Sequence, residues 1–189
     1  MPDLSSLFGP SRVTVIGATD REKSVVRAIL ENMATFEGEV IPVNPNKKTV
    51  LGKLCYPGIS DVPNVESVDL AVVVVPASVA IDAVREAGEA GIQNVVVISA
   101  GFSESGHQGE QREHELVAVA EEYDLTLVGP NCVGIISTPI GLNTTFVHGE
   151  PPEGSISLVS QSGAFIAAVL TSAHRHGIGF KDVVSLGNE

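Results

Sequence analysis

Short valine-rich runs alternate with amphipathic segments along most of this chain, and that alternation leaves few folds open. Leu70-Ala71-Val72-Val73-Val74-Val75 is apolar at every position. Strands read this way when a parallel sheet is covered on both faces. The other strands are expected at Arg12–Ile16, Glu39–Val43, Asn94–Ser99 and Thr126–Val128, with the valine run itself spanning 68–75. Between the strands, Val26, Ile29, Leu30 and Met33 fall at i, i+3, i+4 and i+7, one stripe of an α-helix. Two more helices are expected, one with Val79, Ala83, Val84 and Ala87 on one side and one with Leu116, Val119, Ala120 and Tyr123. Strict alternation of strand and helix argues for an α/β fold: a doubly wound parallel sheet with right-handed crossovers.

Periodicity lapses between Gly129-Pro130-Asn131-Cys132 and Pro151-Pro152. A boundary is placed there, with residues 1–135 as the first domain, 136–153 as a linker and 154–189 as the start of a second α/β domain. That part begins with a strand over Ser155–Ser160, followed by a helix from Ser162 or Gly163 that carries Phe165, Val169 and Ser172. A last strand runs from Asp182 to Leu186. One and a half repeats close no core, so the second domain reads as incomplete.

Composition narrows the partners. The 189 residues are 43% apolar and 4% aromatic, so the core is built from Val, Ile, Leu and Ala. The 23 acidic and 11 basic side chains give a formal charge of −12. Nucleic acid and anionic membranes both need basic surface, so neither is an expected partner. An acidic excess also suits a protein from high salt, where charge repulsion is screened. No stretch approaches the roughly 18 apolar residues of a membrane span. Met1-Pro2-Asp3-Leu4 lacks the features of a signal peptide, which makes a cytoplasmic location the expectation. Cys55 and Cys132 are too few for a disulfide framework or a C-x-x-C metal site.

Ligands of open parallel sheets sit at the carboxyl ends of the strands. Those ends carry Gly17-Ala18-Thr19, Asn44-Pro45-Asn46-Lys47, Pro76-Ala77-Ser78, Ser99-Ala100-Gly101 and Gly129-Pro130-Asn131-Cys132. A dinucleotide site wants G-x-G-x-x-G after the first strand and an acidic residue about twenty positions on. Of the glycines only Gly17 is present, and the second strand runs into an amide and a lysine. That ending suits a phosphorylated ribose better than a bare one. Thr19 offers a hydroxyl near the next helix N-terminus, and Lys47 a cation for phosphate. Ser160-Gln161-Ser162-Gly163-Ala164 is a second strand-to-helix turn in which Ser162 can cap the helix. The free N–H groups behind the cap favour an anion, although capping without any ligand is the commoner use of such a turn taken alone.

These segments together resemble the ADP-forming acyl-CoA synthetases, relatives of the succinyl-CoA synthetase alpha subunit. The residues that carry the resemblance are Val15-Ile16-Gly17-Ala18-Thr19, Val43-Asn44-Pro45, Val74-Val75-Pro76-Ala77, Val97-Ile98-Ser99-Ala100-Gly101-Phe102, Gly129-Pro130-Asn131-Cys132-Val133-Gly134-Ile135, Val159-Ser160-Gln161-Ser162-Gly163-Ala164 and Ser185-Leu186-Gly187-Asn188. The resemblance implies a Rossmann-like CoA-binding domain followed by the start of a flavodoxin-like ligase domain. It places Gly17, Ala18, Thr19, Asn44, Pro45, Lys47, Val75, Pro76, Ser99, Ala100 and Gly101 around CoA or acyl-CoA. Asn131 and Cys132 then lie at the thiol end, and Ser162 and Gly163 face a phosphoryl group.

In that family acyl-CoA and phosphate give an acyl phosphate and CoA; the phosphoryl group then passes to a histidine, releasing the acid, and from there to ADP to give ATP. The nucleotide sits with Mg on a partner ATP-grasp domain or subunit, in an oligomeric enzyme. The family histidine lies beyond residue 189, and His107, His114, His148, His174 and His176 are outside its motif. No catalytic residue is therefore expected in this chain, which alone should be inactive. Val26 stands where relatives carry a glycine, and a branched side chain there is expected to narrow the approach to the pyrophosphate. Cys132 reads either as a reactive thiol beside that of CoA or as a small buried core residue. Two other functions compete with the ligase reading: a CoA-binding module without catalysis, and an NAD-dependent oxidoreductase.

Overall fold

The computed structural model describes residues 4–149 and 151–188. Its elements run α1 (Ser5–Phe8), β1 (Arg12–Ile16), α2 (Val25–Asn32), β2 (Glu39–Val43), β3 (Thr49–Val50), β4 (Lys53–Leu54), β5 (Leu70–Val73), α3 (Ala77–Glu89), β6 (Asn94–Val97), α4 (His107–Glu122) and β7 (Thr126–Val128). After these come β8 (Ile135–Ser137), β9 (Leu142–Asn143), β10 (Glu153–Ser160), α5 (Gly163–His176) and β11 (Phe180–Ser185).

The first unit is a parallel five-stranded sheet in the order β2-β1-β5-β6-β7. Its two faces are read directly from side-chain alternation. Val13, Val15, Leu70, Val72 and Val96 pack against Val26, Ile29 and Leu30 of α2. Their neighbours Ile41, Val43, Ala71, Val73, Val95 and Val97 pack against α3 and α4 on the other side. β5 is buried along its whole length, which is why its sequence shows no polar alternation.

Val26 is 8% exposed and sits inside the α2-side core. On α3, Ala83, Val84 and Ala87 are buried as expected, but Val79 is 47% exposed and Ala80 and Ile81 complete the buried face.

The second unit is a four-stranded sheet in the order β10-β11-β8-β9. β10 and β11 are parallel, whereas β8 pairs antiparallel with β11, Val184 facing Ile135 and Val183 facing Ile136. The stretch 136–153, expected as an irregular linker, thus contributes two strands to this sheet. They are three and two residues long, too short to show a period. α5 packs through Ile166, Leu170 and Ala173 on Phe180 and Val183, while Phe165 is 53% exposed. Val169 is partly buried against that cluster. The two units share apolar core: Cys132, Ile135, Leu142 and Val184 join the cluster that holds Val15 and Val96.

Candidate functional site

The carboxyl ends of β2, β1, β5 and β6 meet at one edge and are knitted together by hydrogen bonds. The Gly17 and Ala18 N–H groups donate to Val43 O at 2.9 and 3.1 Å. Asn44 Nδ2 donates to Ala18 O at 2.8 Å, while its Oδ1 accepts from Asn46 N at 2.9 Å. That Asx turn sets the direction of the chain from Asn44 to Lys47. Gly17 is required where it stands: φ is +92°, and a Cβ would lie 2.4 Å from Val74 O. The first turn is therefore pressed against the end of β5, with room for backbone only.

Ser99 ties the next two strand ends. Its Oγ accepts from Val75 N at 3.2 Å, and its carbonyl accepts from Asn131 N at 3.0 Å. Val75 lies just before Pro76, the N-cap of α3, which has no side-chain cap. Gly101 also has positive φ, +107°, and a Cβ there would lie 3.0 Å from Ala77 Cβ. Pro45 and Ala100 are exposed on this edge, and Ala18 and Ser99 are buried beneath it.

Thr19 does not stand at a helix N-terminus, as the sequence suggested. Its Oγ1 accepts from Arg21 N at 3.2 Å, and α2 begins six residues later, capped by Ser24 Oγ on Arg27 N at 3.2 Å. Lys47 is held as well. Its Nζ lies 2.8 Å from Asp20 Oδ1, and Lys47 holds the Asp20 carboxyl below its ordinary range, by the hydrogen bond first and by charge second.

Asn131 and Cys132 meet the second strand-to-helix turn in one cleft. A cavity of about 420 Å³ is lined by Asn131, Cys132, Val133, Phe146, Val147, Gln161, Gly163, Ala164 and Ala167. Ser162 Oγ caps α5 by accepting from Phe165 N at 3.2 Å. Gly163 allows that helix end to dock, since a Cβ there would lie 2.2 Å from Val133 Cγ2. Cys132 is buried, and its thiol donates to Val97 O at 3.3 Å. Burial pushes this thiol up to about 12, leaving it neutral and unreactive.

An unforeseen polar network closes the end of the cleft. Asn131 Nδ2 donates to Asn188 Oδ1 at 3.1 Å, and Asn188 Nδ2 donates to Glu104 at 2.8 Å and Glu113 at 2.7 Å. Glu104 also accepts from the Gly101 and Phe102 N–H groups, and Glu113 from Ser103 N at 3.1 Å. Burial raises the Glu104 carboxyl, but the bonds from Asn188 and Gly101 outweigh it and hold the group below its ordinary value. Arg112 Nη1 donates to Gly101 O at 2.6 Å. The loop after β6 is thus pinned on both sides. Among the described residues no cluster of His, Cys, Asp or Glu is placed to hold a metal ion, and no helix is long and apolar enough to cross a membrane.

The family model described as the CoA binding domain matches residues 11–138. The chain belongs to that family. A second model, the succinyl-CoA ligase-like flavodoxin domain, matches residues 153–189. Among curated proteins, an ADP-forming acetate–CoA ligase of Archaeoglobus fulgidus is 49% identical over 98% of this chain and 27% of its own length. A 4-hydroxybutyrate–CoA ligase (ADP-forming) of Nitrosopumilus maritimus is 40% identical over 98% of this chain and 27% of its own. The chain therefore spans about a quarter of the length of these relatives. Among solved structures, acetyl-coenzyme A synthetase 1 of Ca. Korarchaeum cryptofilum, in complex with phosphate and ADP, superposes with a TM-score of 0.93 at 38% identity. It is matched over 99% of this chain and 40% of its own.

Of the residues named from sequence, those at the ends of β1, β2, β5 and β6 are brought to one edge. Asn131, Cys132 and Gly163 are gathered in one cleft. Phe146, Val147 and Glu104 were missed because they lie on connections that carry no motif, and Glu113 because it is one of several acidic residues on α4.

Proposed function

We propose that this chain is the CoA-binding portion of an ADP-forming acyl-CoA synthetase, acting within a larger enzyme. The observation that carries the reading is the shared cleft: Asn131 and Cys132 line the same cavity as Gly163 at the N-terminus of α5. A thiol end and a phosphate-type turn have reason to meet where an acyl group passes between CoA and phosphate. A pure CoA binder has no use for the second feature, and an NAD enzyme would want the missing glycines and a ribose-binding carboxylate on β2.

In this reading the Gly17-Ala18-Thr19 turn, Asn44, Pro45 and Lys47 hold the nucleotide end of CoA. Val75, Pro76, Ser99, Ala100 and Gly101 line the path of its arm. CoA supplies the thiol that carries the acyl group. Asn131 orients groups at the end of the arm, and the Gly163 and Ala164 N–H groups behind the Ser162 cap favour a phosphoryl group. Buried Cys132 excludes water and takes no part in transfer. The phosphorylated histidine, the ATP-grasp domain with ADP and Mg, and the oligomer belong to the remainder of the enzyme.

Calorimetry of this chain with CoA and with NAD tests the binding step. CoA binding without NAD binding is expected, and the reverse would overturn the reading. Adding the downstream segment and an ATP-grasp partner should then yield ATP from acetyl-CoA, phosphate and ADP. A folded complex that turns over no short acyl-CoA would count against the ligase assignment.

A further inference from the structure

β2 ends without an acidic residue, yet the fold brings one to the same place from another loop. Asp20 follows the β1 turn and meets Lys47, 27 positions on, at 2.8 Å. Two links fix the pair. Asn44 Nδ2 holds Ala18 O at 2.8 Å, and Lys47 N donates to Asn44 O at 3.3 Å. The loops after β1 and β2 are therefore joined by an amide contact and, beside it, by an ion pair. The ammonium that is best placed for a ligand phosphate already has an anion. Arg27 does not relieve Lys47 of this partner, because its guanidinium bonds Glu31 at 2.7 Å and reaches only the backbone carbonyl of Asp20.

We propose that Asp20 is an internal competitor for the phosphorylated ribose, its carboxylate holding Lys47 until a nucleotide phosphate displaces it. The inference rests on the CoA reading above. A phosphomonoester carries about −1.5 to −2 charge at neutral pH, against −1 for the carboxylate. The phosphate wins the exchange, but it must break an ion pair and bear the nearby negative charge. Asp20 thereby weakens the hold on a ligand that the enzyme must release in every cycle. A nucleotide without the ribose phosphate leaves the pair intact and gains or loses little from it.

The experiment compares CoA and 3′-dephospho-CoA, by calorimetry at low salt, on the wild-type chain, Asp20→Asn and Asp20→Ala. Both variants should bind CoA on the order of fivefold more tightly, the range open to an exposed ion pair. Dephospho-CoA should stay within about twofold of wild type. High salt should shrink the gain, and Lys47→Ala should remove it in a double-mutant cycle. Unchanged or weaker CoA binding by both variants overturns the inference, as does an equal gain for both nucleotides. A wild-type chain that binds no CoA overturns the CoA reading, and this inference with it.

Discussion

Asn131 and Asn188 are joined amide to amide at 3.1 Å, across the junction between the two sheets. Asn188 is the hub, because its own N–H₂ serves two carboxylates from the first unit, Glu104 and Glu113. One side chain therefore sets the position of Asn131 and prevents two acids from facing each other unmediated.

Asn188→Ala should lower stability by about 1 kcal/mol, the value for bonds to charged groups discounted for solvent screening. Asn188→Asp should cost more, since it adds a third carboxylate. Chemical denaturation measures both. The Glu104 carboxyl is lower in the folded protein than its ordinary 4.5, so its share of stability is present above that value. It is lost as pH falls through the lower folded value. The gap between wild type and Asn188→Ala should therefore narrow below about pH 4.5.

Cys132 should resist alkylation in the native protein and react only on unfolding, as followed by mass spectrometry with iodoacetamide. Its folded value is raised from 9.0 to about 12. Stability is then complete below the unfolded value and declines as pH rises between these two limits. Cys132→Ala should lose this alkaline sensitivity at a cost on the order of 1 kcal/mol for the buried sulfur.

Gly17→Ala and Gly91→Ala separate two effects. Both positions have positive φ, but only at Gly17 does an added Cβ strike backbone, at Val74 O. Gly91→Ala should cost about 1–2 kcal/mol for the backbone conformation alone. Gly17→Ala should cost distinctly more by thermal denaturation and should also abolish CoA binding, because the turn must open.

Ser162→Ala removes the cap of α5 and should cost about 1 kcal/mol. Ser162→Asn restores a capping oxygen and should recover most of that loss. A thermal scan of the three proteins decides it.

The parallel sheet was legible because strands buried on both faces carry few polar residues, and Leu70–Val73 carries none. The Ser162 cap was legible because it is a local device, completed within three residues by Phe165 N. Contacts between distant loops left no such trace. Lys47 looked like a free cation, since nothing in the sequence brings Asp20 to it. Asn188 and Glu104, 84 positions apart, meet only after both sheets have formed.

The antiparallel pairing of β8 with β11 removes any seam at which the chain can be divided. A cut after residue 135 would strip Val183 and Val184 of their neighbours Ile136 and Ile135 and take Leu142 out of the core that it shares with Val15. Heat should melt both sheets in one cooperative transition rather than two. A designer seeking the smallest portable version of this nucleotide cradle would have to carry the second sheet along with the first.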